Sequence, residues 1–172
     1  SNEWKLDDTG KIRYLCSWGG AYKSRSAKIN GRSYTFNSAA EVTNMQWIVM
    51  DGQWKLAKDG KIATGWQTWD NNRYYLNADG TMKANEWMID TDGSVYYFRS
   101  WGGAYLNCKA RINGRSYTFG ADSKVQGSQW VVKGGKWYLV KDGKIATGWQ
   151  TWDGNKYYMN SDGSMRSNEW RL

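Results

Sequence analysis

The chain repeats itself at a spacing of 83 residues. Trp18–Tyr22 (WGGAY) returns at Trp101–Tyr105, and Ile29–Phe36 (INGRSYTF) returns unchanged at Ile112–Phe119. Gly60–Asp70 (GKIATGWQTWD) returns at Gly143–Asp153. Two long units, residues 4–86 and 87–169, therefore follow each other without an insertion, and a partial third starts at 170. Self-similarity on this scale points to a repeat architecture, in which each copy covers the apolar face of its neighbour.

A shorter period of about twenty residues runs inside each unit, with leading positions at Trp4, Ser26, Trp47 and Trp66 before Trp87 opens the next. From Trp66 the pattern reads Gly65-Trp66-Gln67-Thr68-Trp69, a turn at Asp70-Asn71-Asn72, then Arg73-Tyr74-Tyr75-Leu76 and a second turn at Ala78-Asp79-Gly80. Its neighbour reads Trp47-Ile48-Val49-Met50, turn Asp51-Gly52, then Trp54-Lys55-Leu56 and turn Asp59-Gly60. Short aromatic and β-branched runs joined by such turns are β-hairpin signatures, because Asn, Asp and Gly accept positive φ. No segment longer than about ten residues escapes a turn signal, so helix is not expected. One hairpin of this size cannot stand alone in water, whereas stacked hairpins can. The reading is all-β: a solenoid of about eight stacked β-hairpins, with residues 1–172 as a single repeat-array domain.

The apolar content sits in flat rings: 13 Trp and 12 Tyr among 172 residues. Alternation along a strand puts Tyr74 and Leu76 on one face and Tyr75 on the other. The same register groups Tyr34 with Phe36, Trp54 with Leu56 and Tyr96 with Phe98, the aliphatic or Phe member plugging the interior. For the Trp and Tyr rings two readings stay open. They are the core, packed ring on ring, or rings from adjacent hairpins form open-sided cages for quaternary ammonium groups or sugar rings.

The run Gly65-Trp66…Tyr74-Tyr75-Leu76-Asn77-Ala78-Asp79-Gly80-Thr81-Met82, and its copy Gly148-Trp149…Tyr157-Tyr158-Met159-Asn160-Ser161-Asp162-Gly163-Ser164-Met165, resemble the cell-wall-binding repeat of choline-binding proteins. Repeats of glucan-binding domains and of clostridial toxin receptor-binding regions are similar. The resemblance implies hairpins stacked into a left-handed superhelix of threefold character, with ligands held between successive hairpins. Carried over, it implies one site at Trp66, Tyr74, Met82 and Trp87, closed by Tyr96, and its copy at Trp149, Tyr157, Met165 and Trp170. A second type is implied at Trp47, Trp54 and Trp66, copied at Trp130, Trp137 and Trp149. The hairpins led by Ser26 and Lys109 lack the leading Trp, and Arg73 and Lys156 stand where the family places another Trp. The SWGGAY loops stand in for the second turn, either as an added binding loop or as a structural plug.

The expected function is a non-enzymatic binding module, with choline-bearing teichoic acid or another wall polymer as partner, or alternatively an α-glucan. It would be secreted or held at a bacterial cell surface, attached to a catalytic or adhesive domain, because the chain opens and closes within repeats. There is no His to act as a base or metal ligand, and Glu3, Glu86 and Glu169 come one per unit, too far apart for an acid pair. Asp90-Thr91-Asp92-Gly93 lacks the downstream Glu of a calcium loop and reads as a turn. Cys16 aligns with Arg99 and Cys108 with Arg25, so the two cysteines are not equivalents and are expected as free thiols. No metal or cofactor is expected, and no stretch is long and apolar enough for a membrane span. The net charge of +8 attracts polyanions. Single-stranded nucleic acid fits the basic and aromatic content, but the basic positions do not line one strand register. A structural spacer with every ring buried is the remaining alternative.

Overall fold

The turn dipeptides close hairpins as their chemistry requires. In the computed structural model, which describes residues 2–167, both residues of Asn30-Gly31, Asp51-Gly52, Asn113-Gly114 and Asp153-Gly154 have positive φ, the backbone of a type I′ turn. Asp70-Asn71 adopts it without glycine, at φ 47° and 59°.

Eight antiparallel hairpins and no helix result among the described residues. The first four are β1 (Glu3–Leu6) with β2 (Ile12–Leu15), β3 (Arg25–Ile29) with β4 (Arg32–Phe36), β5 (Gln46–Met50) with β6 (Gln53–Lys58) and a short β7 (Lys61–Ile62), and β8 (Gly65–Trp69) with β9 (Asn72–Leu76). The next four repeat the plan: β10 (Trp87–Ile89) with β11 (Val95–Tyr97), β12 (Cys108–Ile112) with β13 (Arg115–Phe119), β14 (Ser128–Lys133) with β15 (Lys136–Lys141) and β16 (Lys144–Ile145), and β17 (Gly148–Trp152) with β18 (Asn155–Met159). The chain divides into two compact units, Ser1–Trp69 with Tyr74–Lys83, and Asp70–Arg73 with Ala84–Leu172.

Within each unit, backbone hydrogen bonds tie three consecutive hairpins together. In the first, the Ile12 N–H donates to the Gly60 carbonyl and the Ile12 carbonyl accepts from the Val42 N–H. In the second, the Val95 N–H donates to Gly143 and its carbonyl accepts from Val125. The interior-facing partners Phe36, Leu56, Leu76, Phe98, Phe119, Leu139 and Met159 are among the most completely buried side chains. They are the plugs that strand alternation selects.

A second turn type links strands to the next hairpin. In Asn77–Thr81 the Asn77 N–H donates to the Thr81 carbonyl at 2.8 Å and the Gly80 N–H to the Asn77 carbonyl at 2.9 Å. The same two bonds close Cys16–Gly20 and Arg99–Gly103, so the SWGGAY loops are instances of this turn and not replacements for it. Gly80 is confined by packing as well as by its φ of 79°, since a Cβ there would sit 2.2 Å from Ile62 Cγ2. Asp carboxylates staple these turns: Asp92 accepts from the Ser94 N–H and hydroxyl, both at 2.9 Å. Those donors, with Lys144 beside them, hold its carboxyl at about 2. Asp79 and Asp162 lie below the usual range for the same reason, with Thr81 and Ser164 as donors. Among the described residues, no helix is long and apolar enough to cross a membrane.

Candidate ligand-binding site

In the second unit, Trp130, Trp137, Tyr157 and Met165 line an open cavity of about 210 Å3. Register explains how they meet. Trp130 lies opposite Leu139 and Val132 opposite Trp137, so Trp130 and Trp137 share a face as diagonal neighbours across β14 and β15. Their rings are 6.2 Å apart at 79°. Tyr157 on β18 stands 5.0 Å from Trp130 at 68°, and Trp152 on β17 stands 6.3 Å away at 77°. Met165 is fixed beside Trp137 because its N–H donates to the Trp137 carbonyl at 2.6 Å. The Tyr117 hydroxyl anchors the other side, donating to the Trp130 carbonyl at 2.9 Å; burial pushes that phenol's pKa up.

The result is a box of rings set nearly perpendicular to Trp130. Its four lining residues carry no charge, but the Arg115 guanidinium lies 4.4 Å over Trp137, a cation–π contact at the rim. The first unit repeats the arrangement. Trp47 meets Tyr74 at 5.0 Å and 68°, with Trp69 and Met82 packed around the same buried Leu56, Ala63 and Leu76. There Arg32 lies 4.4 Å over Trp54, which is 41% exposed.

These groupings differ from the sequence expectation in two ways. Trp66 and Trp149 were expected beside Tyr74 and Tyr157, but they pair with Tyr75 at 5.4 Å and Tyr158 at 5.2 Å. The cause is parity: Trp149 lies directly opposite Tyr158 in the β17–β18 ladder, so Tyr157 points to the other face. Trp149 is 62% exposed there. Trp87 and Tyr96, expected as walls, are only 6% and 5% exposed; Trp87 belongs to the core of the second unit, and Tyr96 pairs with Met88 on the opposite face of its hairpin. Trp170 lies outside the described residues.

Sequence reasoning missed Trp152 and Trp69, and the Arg115 and Arg32 that cover Trp137 and Trp54. The first pair was within reach. Trp152 is three residues from Trp149, which places it on the opposite face of β17, the face of Tyr157. Arg73, which stands where the family places a Trp, donates to the Asp122 carbonyl. No group of three or more His, Cys, Asp or Glu is placed to hold a metal among the described residues.

Residues 63–107 match the model of the choline-binding repeat, and residues 147–165 that of a putative cell wall binding repeat. These two stretches are similar to cell-wall-binding repeats of the choline-binding type. Glucosyltransferase-I of Streptococcus downei is 26% identical over 217 residues, covering 91% of this chain. The chain spans 14% of that relative's length. Among solved structures, choline binding protein F of Streptococcus pneumoniae, in the presence of a peptidoglycan analogue, is 23% identical with a TM-score of 0.47. The match covers 94% of this chain and 65% of that one. The choline-binding domain of CbpL from the same species is 29% identical with a TM-score of 0.43, over 99% and 89% of the two chains. The first matched stretch of cell-wall-binding repeat contains Trp69, Tyr74 and Met82, and the second contains Trp152, Tyr157 and Met165.

Proposed function

We propose that this chain is a non-catalytic binding module that holds a bacterial surface polymer in its aromatic boxes, with choline or another quaternary ammonium as the group recognised. The observation that carries this reading is the near-perpendicular set of Trp130, Trp137, Tyr157 and Met165 around an open cavity. Perpendicular rings enclose a compact methylated ammonium from several sides, and each ring contributes roughly 0.5–2 kcal/mol of cation–π attraction. One box binds weakly. A second at Trp47 and Tyr74 supplies avidity toward a polymer bearing many such groups. The module would work in a secreted or surface-attached protein, as part of one repeat array joined to a catalytic or adhesive domain.

An α-glucan is the second reading, and one observation favours it. Arg115 lies over Trp137, where it repels a cationic guest and is able to hydrogen-bond a sugar hydroxyl. The glucosyltransferase relative points the same way.

Retention of the purified module on a tertiary-amine resin, followed by elution with free choline or with isomaltotriose, separates the two. Choline elution that is abolished in Trp137→Ala supports the ammonium reading. No retention, with isomaltotriose quenching Trp fluorescence, replaces it with the glucan. No response to either ligand removes both.

A further inference from the structure

The second unit holds another concavity, separate from the aromatic box. A cleft of about 370 Å3 lies beside the Trp101 turn, and Asn85, Tyr97, Arg99, Trp101, Arg111 and Asn113 are among its walls, which are mostly polar. An adjoining cavity of about 320 Å3 shares Asn85, Tyr97 and Asn113 and continues past Glu86 and the edge of Trp87 to Lys133; the Glu86 carboxylate leaves the cleft at Arg99 and Arg111 as the end suited to an acidic group. The two together make a groove with room for more than one sugar ring.

Its polar groups are held in place before any guest arrives. The Tyr97 hydroxyl donates to Asn85 Oδ1 at 3.0 Å, which leaves the amide N–H pair to donate elsewhere. Arg99 is clamped: Nη1 donates to the Ala104 carbonyl at 2.9 Å and Nη2 to Cys108 Sγ at 3.8 Å, with the guanidinium 4.2 Å over the Tyr105 ring and 5.4 Å from the Trp101 ring. Trp101 is 48% exposed, yet its indole rests on the backbone of Gly103, where a Cβ would come within 2.1 Å of the ring. A flat indole held rigid, two guanidiniums and two carboxamides are complementary to a sugar ring that carries a carboxylate. The exposed edge of the indole takes the apolar ring face, the Arg111 Nη groups left by its Nε bond to the Gly114 carbonyl meet the carboxylate, with the remaining N–H groups of Arg99 beside them, and the amides meet hydroxyls. Pre-ordering lowers the entropic cost of binding.

The 83-residue repeat sharpens the chemistry. At the positions of Arg99 and Arg111 the first unit has Cys16 and Lys28. A Trp turn is therefore present in both units, but the guanidinium pair stands in the second alone.

We propose that this groove is a second binding site, specific for an acidic polysaccharide, with Trp101 as the stacking platform and Arg99 and Arg111 as the carboxylate clamp. The test is calorimetric titration at low salt with a hyaluronan hexasaccharide, with neutral chitohexaose and with a thymidine oligonucleotide. The acidic hexasaccharide is expected to bind about tenfold or more tightly than the neutral one, as a charge-assisted contact allows. Arg111→Gln and Trp101→Ala should each remove about tenfold of that affinity. Trp137→Ala, in the aromatic box, should leave it unchanged. A circular dichroism melt of each variant confirms folding, and the exposed Arg111 is the variant most certain to keep the native melt. Equal affinity for both saccharides, wild-type affinity in Arg111→Gln, loss in Trp137→Ala, or tighter binding of the oligonucleotide would each overturn the proposal.

Discussion

Two junctions in the second unit are built from the same residue types and end in opposite states. Around Trp87 the rings close. Tyr97 lies 4.8 Å away, Tyr117 4.8 Å and Phe119 6.3 Å, and Tyr105 stacks on Phe119 at 5.1 Å. Around Trp130 they stay open, although Trp130 meets Tyr157 at almost the angle at which Trp87 meets Tyr117, 68° against 66°. The leading Trp and the next hairpin's Tyr therefore do not decide the outcome.

Three neighbours do. Tyr97 lies directly opposite Trp87, whereas Leu139 is opposite Trp130 and Trp137 is displaced by two residues. Phe119 and Val125 fill the floor of the closed junction, where the open one has Met165. Lastly, the five-residue turn Arg99–Gly103 carries the chain back so that Tyr105 covers the gap. The tight Asp142-Gly143 turn after β15 leads instead into β16, whose Ile145 packs against the turn at Gly163. The first unit shows the same contrast, with Trp4 enclosed by Tyr14, Tyr34 and Phe36 and Trp47 beside Tyr74. At the Trp4, Trp47, Trp87 and Trp130 junctions, the open or shut state goes with the turn that follows the hairpin.

The largest effect should separate the two Trp classes. Trp87→Ala removes a buried ring and is expected to cost about 3–5 kcal/mol of unfolding free energy in urea titration. Trp130→Ala, which removes a partly exposed ring, should cost roughly half of that or less. Equal costs would erase the distinction. Next, Tyr105→Ala should open the closed junction at a cost of about 2 kcal/mol, and acrylamide should then quench Trp87 fluorescence. Continued shielding of Trp87 would show that the turn does not act as the lid.

A comparison of turn residues gives a stabilising change. Ser123 is fully buried and its hydroxyl has no hydrogen-bond partner, while its counterpart 83 residues earlier is Ala40. Ser123→Ala should therefore raise stability by about 1 kcal/mol, because an unsatisfied buried hydroxyl costs about that much. A lower melting temperature would contradict it. The smallest effect concerns acid. The Asp92 carboxyl is held at about 2 by Ser94 and Lys144, below the ordinary aspartate value of about 3.9. A lowered folded-state pKa adds stability above the ordinary value and loses it as pH falls through the folded one. Melting temperature should accordingly decline between about pH 4 and pH 2, and Asp92→Asn should flatten part of that slope.

The hairpins were legible because Asn-Gly and Asp-Gly fix the turns and alternation fixes the faces. Leu76 and Phe36 were recognisable as interior plugs on those grounds alone. The site was legible in its residue types but not in its pairings. Nothing local says that Trp47 meets Tyr74, since the pairing depends on how hairpins stack. The parity of Trp149 against Trp152 did contain the answer, because residues three apart on a strand face opposite sides. That Tyr105 returns to seal one gap depends on the path of a turn, which the Trp-Gly-Gly-Ala-Tyr string does not reveal.

The most direct check is an NMR titration of the indole N–H resonances with choline and, separately, isomaltotriose. A guest in the open box predicts that the Trp130 and Trp137 resonances move with saturation while Trp87 stays fixed. Shifts at Trp87 with none at Trp130 or Trp137 would contradict the account.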